Sequence, residues 1–166
     1  TQTPGQNIRV SVTILPAMFV KGPPEHTERL KGADELLKLG YQVSLNIDPI
    51  IMTPDTVKTY KKIIDDIKTH FDYTSEKFHR ITIGMLRFGT KNLENNIRKR
   101  HTGLYSHAKR NMSKIKGDEK FRYDRVKRIE IYKALVEYTQ AEVPGVEVEL
   151  STEPVDVWNE VGLNVP

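Results

Sequence analysis

The chain has 166 residues, of which 37% are hydrophobic and 29% charged, the composition of a soluble globular domain with a core of its own. It contains no cysteine, which excludes disulfides, thiolate nucleophiles and cysteine-ligated zinc or iron–sulfur sites within this sequence, and makes the cytoplasm the expected compartment. No apolar run approaches the roughly 20 residues that span a bilayer, and no signal peptide is visible, so we expect a single domain over residues 1–166 with no membrane segment.

Strand and helix patterns alternate through residues 8–100. Three stretches are rich in β-branched or continuous apolar residues and predict strands: 8–15, 43–51 and 80–88. Each is followed by a helical pattern, after a loop at residues 16–24 in the first case. The helix signals are an N-cap at Thr27 with a left-handed end at Gly40, an N-cap at Thr53 before Pro54, and a cap at Thr90 or Asn92.

The second part of the chain is less regular. Residues 101–124 show no clean period and predict a long basic loop. Residues 125–162 predict a terminal helix–strand–helix unit, with a short strand at 146–150. Strands that alternate with helices imply parallel pairing through crossovers. We therefore predict an α/β fold, either a partial (β/α) barrel or an open, mostly parallel sheet of about four strands with crossover helices.

Polar residues fall at the carboxyl ends of the predicted strands, where parallel sheets and barrels bind ligands. They are Ser11, Thr13, Asn46, Asp48, Arg87, Ser151, Thr152 and Glu153. This set predicts a site for a polar ligand with an amine, a carboxylate or ribose hydroxyls. Several also have a structural alternative: Ser11 and Thr13 could face outward, Asp48 before Pro49 could cap a turn, and Arg87 could pair with a surface acid.

Positive charge is concentrated in one segment. The net charge is +4, but residues 98–133 carry thirteen Lys and Arg against four Asp and Glu, a local excess of nine that leaves the remainder at −5. Tyr105, Phe121, Tyr123 and Tyr132 lie among these cations. Cations interleaved with aromatic rings predict contact with nucleic acid, and the alternative is a solvated face above ordinary core tyrosines.

Familiar catalytic motifs are absent from the sequence. It has no glycine-rich phosphate loop and no Gly-x-Ser-x-Gly elbow, and its five histidines lack metal-ligand spacing. We therefore assign neither a catalytic residue nor a metal ligand from the sequence.

Four stretches, in this order, resemble the C-terminal half of the spore photoproduct lyase-like group of radical S-adenosylmethionine (SAM) proteins. They are Arg9-Val10-Ser11-Val12-Thr13; Gly40-Tyr41 through Asp48-Pro49-Ile50; Leu86-Arg87-Phe88-Gly89-Thr90-Lys91; and Lys120-Phe121-Arg122-Tyr123 leading into Arg128-Ile129-Glu130-Ile131-Tyr132. The tail at residues 151–158 is similar to the terminal motif of the group. The resemblance extends over nearly all of residues 8–162.

The resemblance implies the second half of a partial barrel and SAM as the cofactor. It places five residues near SAM: Ser11, Thr13, Asn46, Asp48 and Arg87. In intact members a deoxyadenosyl radical abstracts hydrogen from a thymine-dimer lesion in DNA, whose linking bond then breaks. DNA is the implied partner, and the residues expected to contact it are Arg98, Arg100, Lys109, Arg110, Lys120, Arg122, Tyr123, Arg125 and Arg128.

Two features differ from the group. The C-x3-C-x2-C motif that holds its [4Fe–4S] cluster belongs to the N-terminal half, and Ser151 stands where many members have cysteine. Radical SAM lyase activity is therefore expected only if another segment supplies the cluster. Because four strands cannot close a barrel, residues 8–15 are expected to pair with the missing half or a partner chain. The alternative is a non-catalytic nucleic-acid-binding or assembly module that reuses the half-barrel.

Overall fold

The computed structural model describes residues 8–16, 25–71, 78–89, 91–100, 102–114 and 120–165. The strands in these ranges are β1 Arg9–Thr13, β2 Gln42–Ile50, β3 Phe78–Met85, β4 Met112–Lys114, β5 Phe121–Tyr123 and β6 Glu147–Leu150. The helices are α1 His26–Lys38, α2 Thr56–His70, α3 Lys91–Arg100, α4 Thr102–Asn111, α5 Arg125–Glu142 and α6 Val155–Val161. Most of the predicted 16–24 loop and the predicted cap at Thr90 lie outside the described residues.

The main sheet has four parallel strands in the order β1-β2-β3-β6. A separate antiparallel pair, β4–β5, joins it through an isolated bridge between Phe88 and Phe121. Among the described strands, β1 pairs with β2 only, so its other edge carries no described partner. The predicted α/β fold with a parallel four-stranded sheet is confirmed.

One face of the sheet is apolar and carries the helices. Leu45, Ile81 and Val148 lie in register across three neighbouring strands, and all three are buried. Helix α1 packs on β1 and β2, α5 packs on β6, and α2 contacts both helices. Helix α2 contributes Ile64 and Ile67 to this core, both with no exposed surface. The helices therefore form a single layer against one side of the sheet, as in a barrel wall.

Two predicted helix starts are wrong by a few residues. Helix α1 begins before Thr27, with Glu25 as its N-cap. Helix α2 begins at Thr56 rather than after Thr53, because Pro54 and Asp55 form a turn. The Thr56 hydroxyl closes that turn, since it accepts a hydrogen bond from the Thr53 nitrogen at 2.6 Å and donates to the Thr53 carbonyl oxygen at 2.7 Å.

The prediction of a continuous basic loop over residues 101–124 is also wrong. This segment holds α4 and the β4–β5 pair. Ala108 has no exposed surface, and the ring of Tyr105 lies 6.3 Å from that of Phe88. The bridge to the end of the main sheet then fixes Phe121, through two backbone hydrogen bonds of 3.1 and 3.2 Å. These short elements are stabilised by contacts with the sheet, which a search for periodicity does not detect.

Candidate functional site

The second face of the sheet is polar. Alternate residues of each strand point to this face, and the parallel register aligns them in two rows. The lower row is Ser11, Ser44, Arg80 and Glu147, and the row nearer the carboxyl ends is Thr13, Asn46, Thr82 and Glu149. The Arg80 guanidinium joins the two rows, at 2.7 Å from Glu149 and 3.3 Å from Glu147. The sheet is thus amphipathic, with its chemistry on the face opposite the helices.

A compact cluster lies beyond these rows, at the strand ends, and we call it the strand-end cluster: Asp48, Gly84, Arg87 and Ser151. A Cβ atom at Gly84 would stand 2.7 Å from Asp48 Cγ and 2.7 Å from Ser151 Cβ, so only glycine fits between them. Arg87 Nη1 lies 3.3 Å from each carboxylate oxygen of Asp48, and Nη2 donates to Ser151 Oγ at 3.2 Å. Three strand ends are therefore held together by one guanidinium.

The structure brings the five predicted cofactor residues onto one face but gives them different surroundings. Thr13 and Asn46 are paired across β1 and β2, and both are half-buried. Ser11 lies lower on the strand and is exposed. Among the described residues these three side chains have no hydrogen-bond partner. Asp48 and Arg87 instead bind each other, so the acid that Arg87 pairs with is a residue of the predicted site and not a separate surface acid.

A groove of about 390 Å³ opens beside the strand-end cluster. Its walls combine apolar side chains with three charged ones, and it is lined by Asp48, Pro49, Leu86, Arg87, Gly89, Ile97 and Lys120. A concave, largely apolar wall with a few convergent polar groups is typical of a small-molecule site. The groove places the Asp48–Arg87 pair at the margin of such a site.

Two buried tyrosines hold the end of β2 from outside the sheet. The Tyr60 hydroxyl accepts a hydrogen bond from the Ile51 nitrogen at 2.9 Å and donates to the Pro49 carbonyl oxygen at 3.2 Å. The Tyr123 hydroxyl accepts from the Met52 nitrogen at 3.3 Å. Burial raises the pKa of Tyr123 to about 12, and it raises the pKa of Tyr60 further. Both hydroxyls are therefore neutral donors and acceptors at any physiological pH.

A third tyrosine holds the end of β3. The Tyr132 hydroxyl accepts a hydrogen bond from the Met85 nitrogen at 2.9 Å and donates to Glu153 Oε1 at 2.9 Å. Burial raises the pKa of Tyr132 well above its usual range, and the neighbouring Glu153 charge adds to that effect. The same hydroxyl thus links the end of β3 to the segment that follows β6.

Three of the residues predicted to bind nucleic acid are buried. The Arg122 and Arg128 side chains are 5% and 3% exposed and flank Glu153, whose carboxylate lies 3.4 and 3.6 Å from them. Arg122 also donates to the Thr152 carbonyl oxygen at 3.0 Å, and Tyr123 has no exposed surface. The side chains of Arg122, Tyr123 and Arg128 are thus enclosed and bind within the protein, so this structure does not expose the surface that their predicted DNA contact requires.

Two more of the predicted cations bind carboxylates of the chain itself. Lys109 Nζ lies 2.8 Å from Glu94 Oε1, and Arg125 binds two carboxylates of α6. Hydrogen bonds from Lys109 and Tyr105 hold the pKa of Glu94 below its usual range. The other predicted residues keep surface exposure, which is large at Arg98, Arg100 and Arg110 and partial at Lys120.

Sequence reasoning missed part of the polar face. Ser44 is 3% exposed and Glu149 9%, and each has a buried oxygen with no hydrogen-bond partner. The alternation of β6 was visible in the sequence, but its register with Arg80 was not, because register depends on strand order. The importance of Gly84 was also missed, since nothing near it in the sequence indicates that Asp48 and Ser151 close over it.

No group of three histidine, aspartate or glutamate side chains that could hold a metal ion occurs in the described residues. The same part of the chain contains no helix of the length and apolarity needed to cross a membrane.

Helices α1, α2 and α5 on one side of a four-stranded parallel sheet, with a polar face on the other side, define a partial (β/α) barrel. The solved structures that match are of spore photoproduct lyase, and no family model and no curated protein matches the sequence. The lyase complexed with dinucleoside spore photoproduct matches with a TM-score of 0.68 and 18% identity, over 86% of this chain. A doubly substituted lyase with bound AdoMet and dinucleoside spore photoproduct matches with a TM-score of 0.66 and 18% identity, over 84% of this chain.

The match covers only part of each lyase chain. It covers 44% of the first lyase chain and 43% of the second, so this chain spans less than half the length of the structures it matches. At 18% identity the likeness establishes the fold.

Proposed function

We propose that this chain is the C-terminal part of a radical SAM enzyme of the spore photoproduct lyase type, which completes the SAM pocket and contacts DNA. The observation that carries the proposal is the polar face at the strand ends of a partial barrel, where the Thr13 and Asn46 side chains have no hydrogen-bond partner among the described residues. One matched lyase structure holds AdoMet, the same compound as SAM. Ligands of parallel β/α folds bind at that end of the strands.

The polar face fits the chemistry of SAM. Thr13 and Asn46 offer a hydroxyl and an amide side by side, without partners among the described residues. Such groups suit ribose hydroxyls or the amino and carboxylate groups of the methionine part. Asp48 and Arg87 neutralise each other and would meet the ligand as a pair. Bound SAM is the source of the hydrogen-abstracting group in such enzymes, and this chain would orient it.

The residues present do not fit the iron–sulfur cluster. The chain has no cysteine, so the three thiolate ligands of a [4Fe–4S] cluster must come from another segment. We therefore assign no step of cluster chemistry to this chain.

The edge of β1 that faces away from β2 is a candidate binding site for that other segment. The strand pairs with β2 along one side only among the described strands, and Ile8 beside it is 49% exposed. An unpaired strand edge is a template for a further strand. We propose that the edge at residues 8–15 pairs with the cluster-bearing half, which extends the sheet toward a barrel.

The test is anaerobic reconstitution with the segment encoded upstream of residue 1, in the presence of iron and sulfide. The proposal expects a broad visible absorbance from a cluster, SAM cleavage, and SAM binding in equilibrium dialysis that is weakened by Asn46→Ala. Gln140→Ala, an exposed amide on α5, is the matched control and should leave SAM binding unchanged. A reading frame without a cysteine triplet, or SAM binding indifferent to Asn46→Ala, would refute the proposal.

A second candidate is a non-catalytic nucleic-acid-binding or assembly module. The observation that favours it is the Asp48–Arg87 pair, which satisfies two of the proposed ligand groups internally. Salt-sensitive DNA binding without SAM affinity in the reconstituted protein would select this candidate.

A further inference from the structure

Exposed cations cluster on the helical hairpin formed by α3 and α4 and on the adjoining strand β4. We propose that this surface, here called the α3–α4 face, binds the phosphate backbone of double-stranded nucleic acid without reading its sequence. Four exposed cations of this surface carry the inference: Lys99, Arg100, Arg110 and Lys114. None of them forms an ion pair with a carboxylate of the described residues. The inference rests on the DNA contact of the proposed function and assigns that contact to a surface.

Among the described residues, α3, α4 and β4 carry no exposed acid. Between residues 91 and 114 the sequence contains a single acid, Glu94. That carboxylate is occupied by Lys109 at 2.8 Å and by the Tyr105 hydroxyl at 2.9 Å. The four cations are therefore not compensated from within their own segment, and their fields add.

Glu94 also fixes the arrangement of the two helices. It lies in the first half of α3 and binds residues of α4, so the helices pack side by side, with residue 101 between them in the chain. Arg100 is the last residue of α3 and Arg110 lies in the last turn of α4, so both helices of the hairpin contribute cations to the α3–α4 face.

The aromatic rings of this region are not available for base stacking. Tyr105 is held by Glu94, Tyr123 is buried, and the Phe121 ring lies under Lys109 Nζ at 4.0 Å. Recognition of single strands usually depends on exposed rings that stack on bases. A surface with cations and no free ring binds phosphates, and the double-stranded form is the ligand it fits.

The outer face of α2 provides the comparison. Its exposed lysines, Lys58 and Lys62, lie among acids at Asp55 and Asp65, which are also exposed. A surface on which positive and negative side chains alternate in this way is typical of soluble proteins. The concentration of one sign on the α3–α4 face is therefore a local property and does not follow from the net charge of the chain.

The experiment measures fluorescence anisotropy of a labelled duplex of about 20 base pairs, titrated with the 166-residue chain between about 50 and 200 mM salt. The test variant replaces the four cations of the α3–α4 face by alanine: Lys99→Ala, Arg100→Ala, Arg110→Ala and Lys114→Ala. The matched control removes the same charge from exposed lysines of α1, α2 and α5: Lys31→Ala, Lys58→Ala, Lys62→Ala and Lys127→Ala. Circular dichroism and the thermal midpoint establish that both variants are folded.

We expect the test variant to bind at least about tenfold more weakly at low salt, and the control to bind like the wild type. The slope of log affinity against log salt should fall by about 3.6 in the test variant, roughly 0.9 for each of four phosphate contacts. Equal losses in both variants would overturn the inference, because they would show a response to net charge alone.

Two further outcomes separate this inference from the proposed function. If the test variant still binds the duplex like the wild type, the assignment of the DNA contact to the α3–α4 face is refuted. The DNA contact of the proposed function would then lie elsewhere on the chain. Wild-type binding to phosphatidylserine-containing vesicles, with none to the duplex, overturns nucleic acid as the partner. SAM binding is measured separately by dialysis, so the proposed SAM pocket is tested independently of duplex binding.

Discussion

The Tyr132 hydroxyl donates a hydrogen bond of 2.9 Å to Glu153 Oε1, and the carboxylate it reaches is almost fully enclosed. Arg122 and Arg128 flank the same carboxylate. A single negative charge thus stands between two buried guanidiniums and ties β5, α5 and the segment after β6 to one point. Two of the nine residues expected to contact DNA therefore bind within the protein.

Glu153→Gln should destabilise the fold strongly. It removes a carboxylate that both buried arginines flank, and removing one partner of a buried ion pair costs about 3–5 kcal/mol. Urea unfolding followed by circular dichroism measures the change. Glu160→Gln removes an exposed partner of Arg125 and is the control, for which we expect no measurable shift of the midpoint. Similar midpoints for the two variants would contradict the buried network.

Tyr132→Phe should cost less, about 1–3 kcal/mol, because it leaves the Met85 nitrogen and the Glu153 carboxylate each without one partner. The ring itself stays, so no cavity is created. Hydrogen exchange at the Met85 amide is the more specific measurement, and it should accelerate in the variant. If that amide keeps its protection, the tyrosine does not hold the end of β3.

Gly84→Ala should destabilise the protein by about 1–3 kcal/mol, the usual cost of overpacking. Its new methyl group would stand 2.7 Å from both Asp48 Cγ and Ser151 Cβ. Gly32→Ala is the matched control, because that helical glycine has nothing within 4 Å of the added methyl. We expect the control to gain about 0.5–1 kcal/mol from helix propensity. Thermal unfolding of both variants should therefore show shifts of opposite sign.

Glu94 should contribute to stability in a pH-dependent way. Hydrogen bonds from Lys109 and Tyr105 lower its pKa in the folded state. A carboxyl whose pKa is lower in the folded than in the unfolded state stabilises the protein at pH values above its unfolded-state pKa of about 4.3. That stabilisation is lost as the pH falls through the folded-state pKa. The thermal midpoint of the wild type should therefore fall more steeply below about pH 4.5 than that of Glu94→Gln.

Glu137→Gln, an exposed acid on α5, controls for the loss of one carboxylate and should retain the wild-type dependence. Parallel curves for wild type and Glu94→Gln would show that the Glu94 contacts do not form in solution.

The sheet was predictable because its strands carry their own signals. β2 combines Leu45 and Ile47 with the turn residues that follow it, and the glycine end of α1 at Gly40 has a φ of 96° as expected. Helix α3 was predicted, whereas α4 and the β4–β5 pair were missed because each is stabilised by packing, through residues such as Ala108 and Phe121. Short elements of this kind lack the periodicity that a sequence search uses.

The candidate site was predicted in outline, and its connections were not. The position of Thr13, Asn46 and Asp48 near one another was predictable, because the carboxyl ends of parallel strands lie at the same edge of a sheet. The bond between Asp48 and Arg87 spans 39 positions in the sequence, and no local pattern encodes it. The burial of Arg128 was missed for a related reason, since a cation in a basic segment gives no sign that Glu153 lies opposite it in the fold.

The tyrosine hydroxyls that hold the ends of β2 and β3 come from α2, β5 and α5, all within this chain. Each hydroxyl accepts a hydrogen bond from a backbone amide at a strand end or just beyond it, so contacts within this chain shape the groove beside these ends. The helices behind the sheet therefore do more than cover its apolar face, because two of them also set the path of the backbone where the strands end.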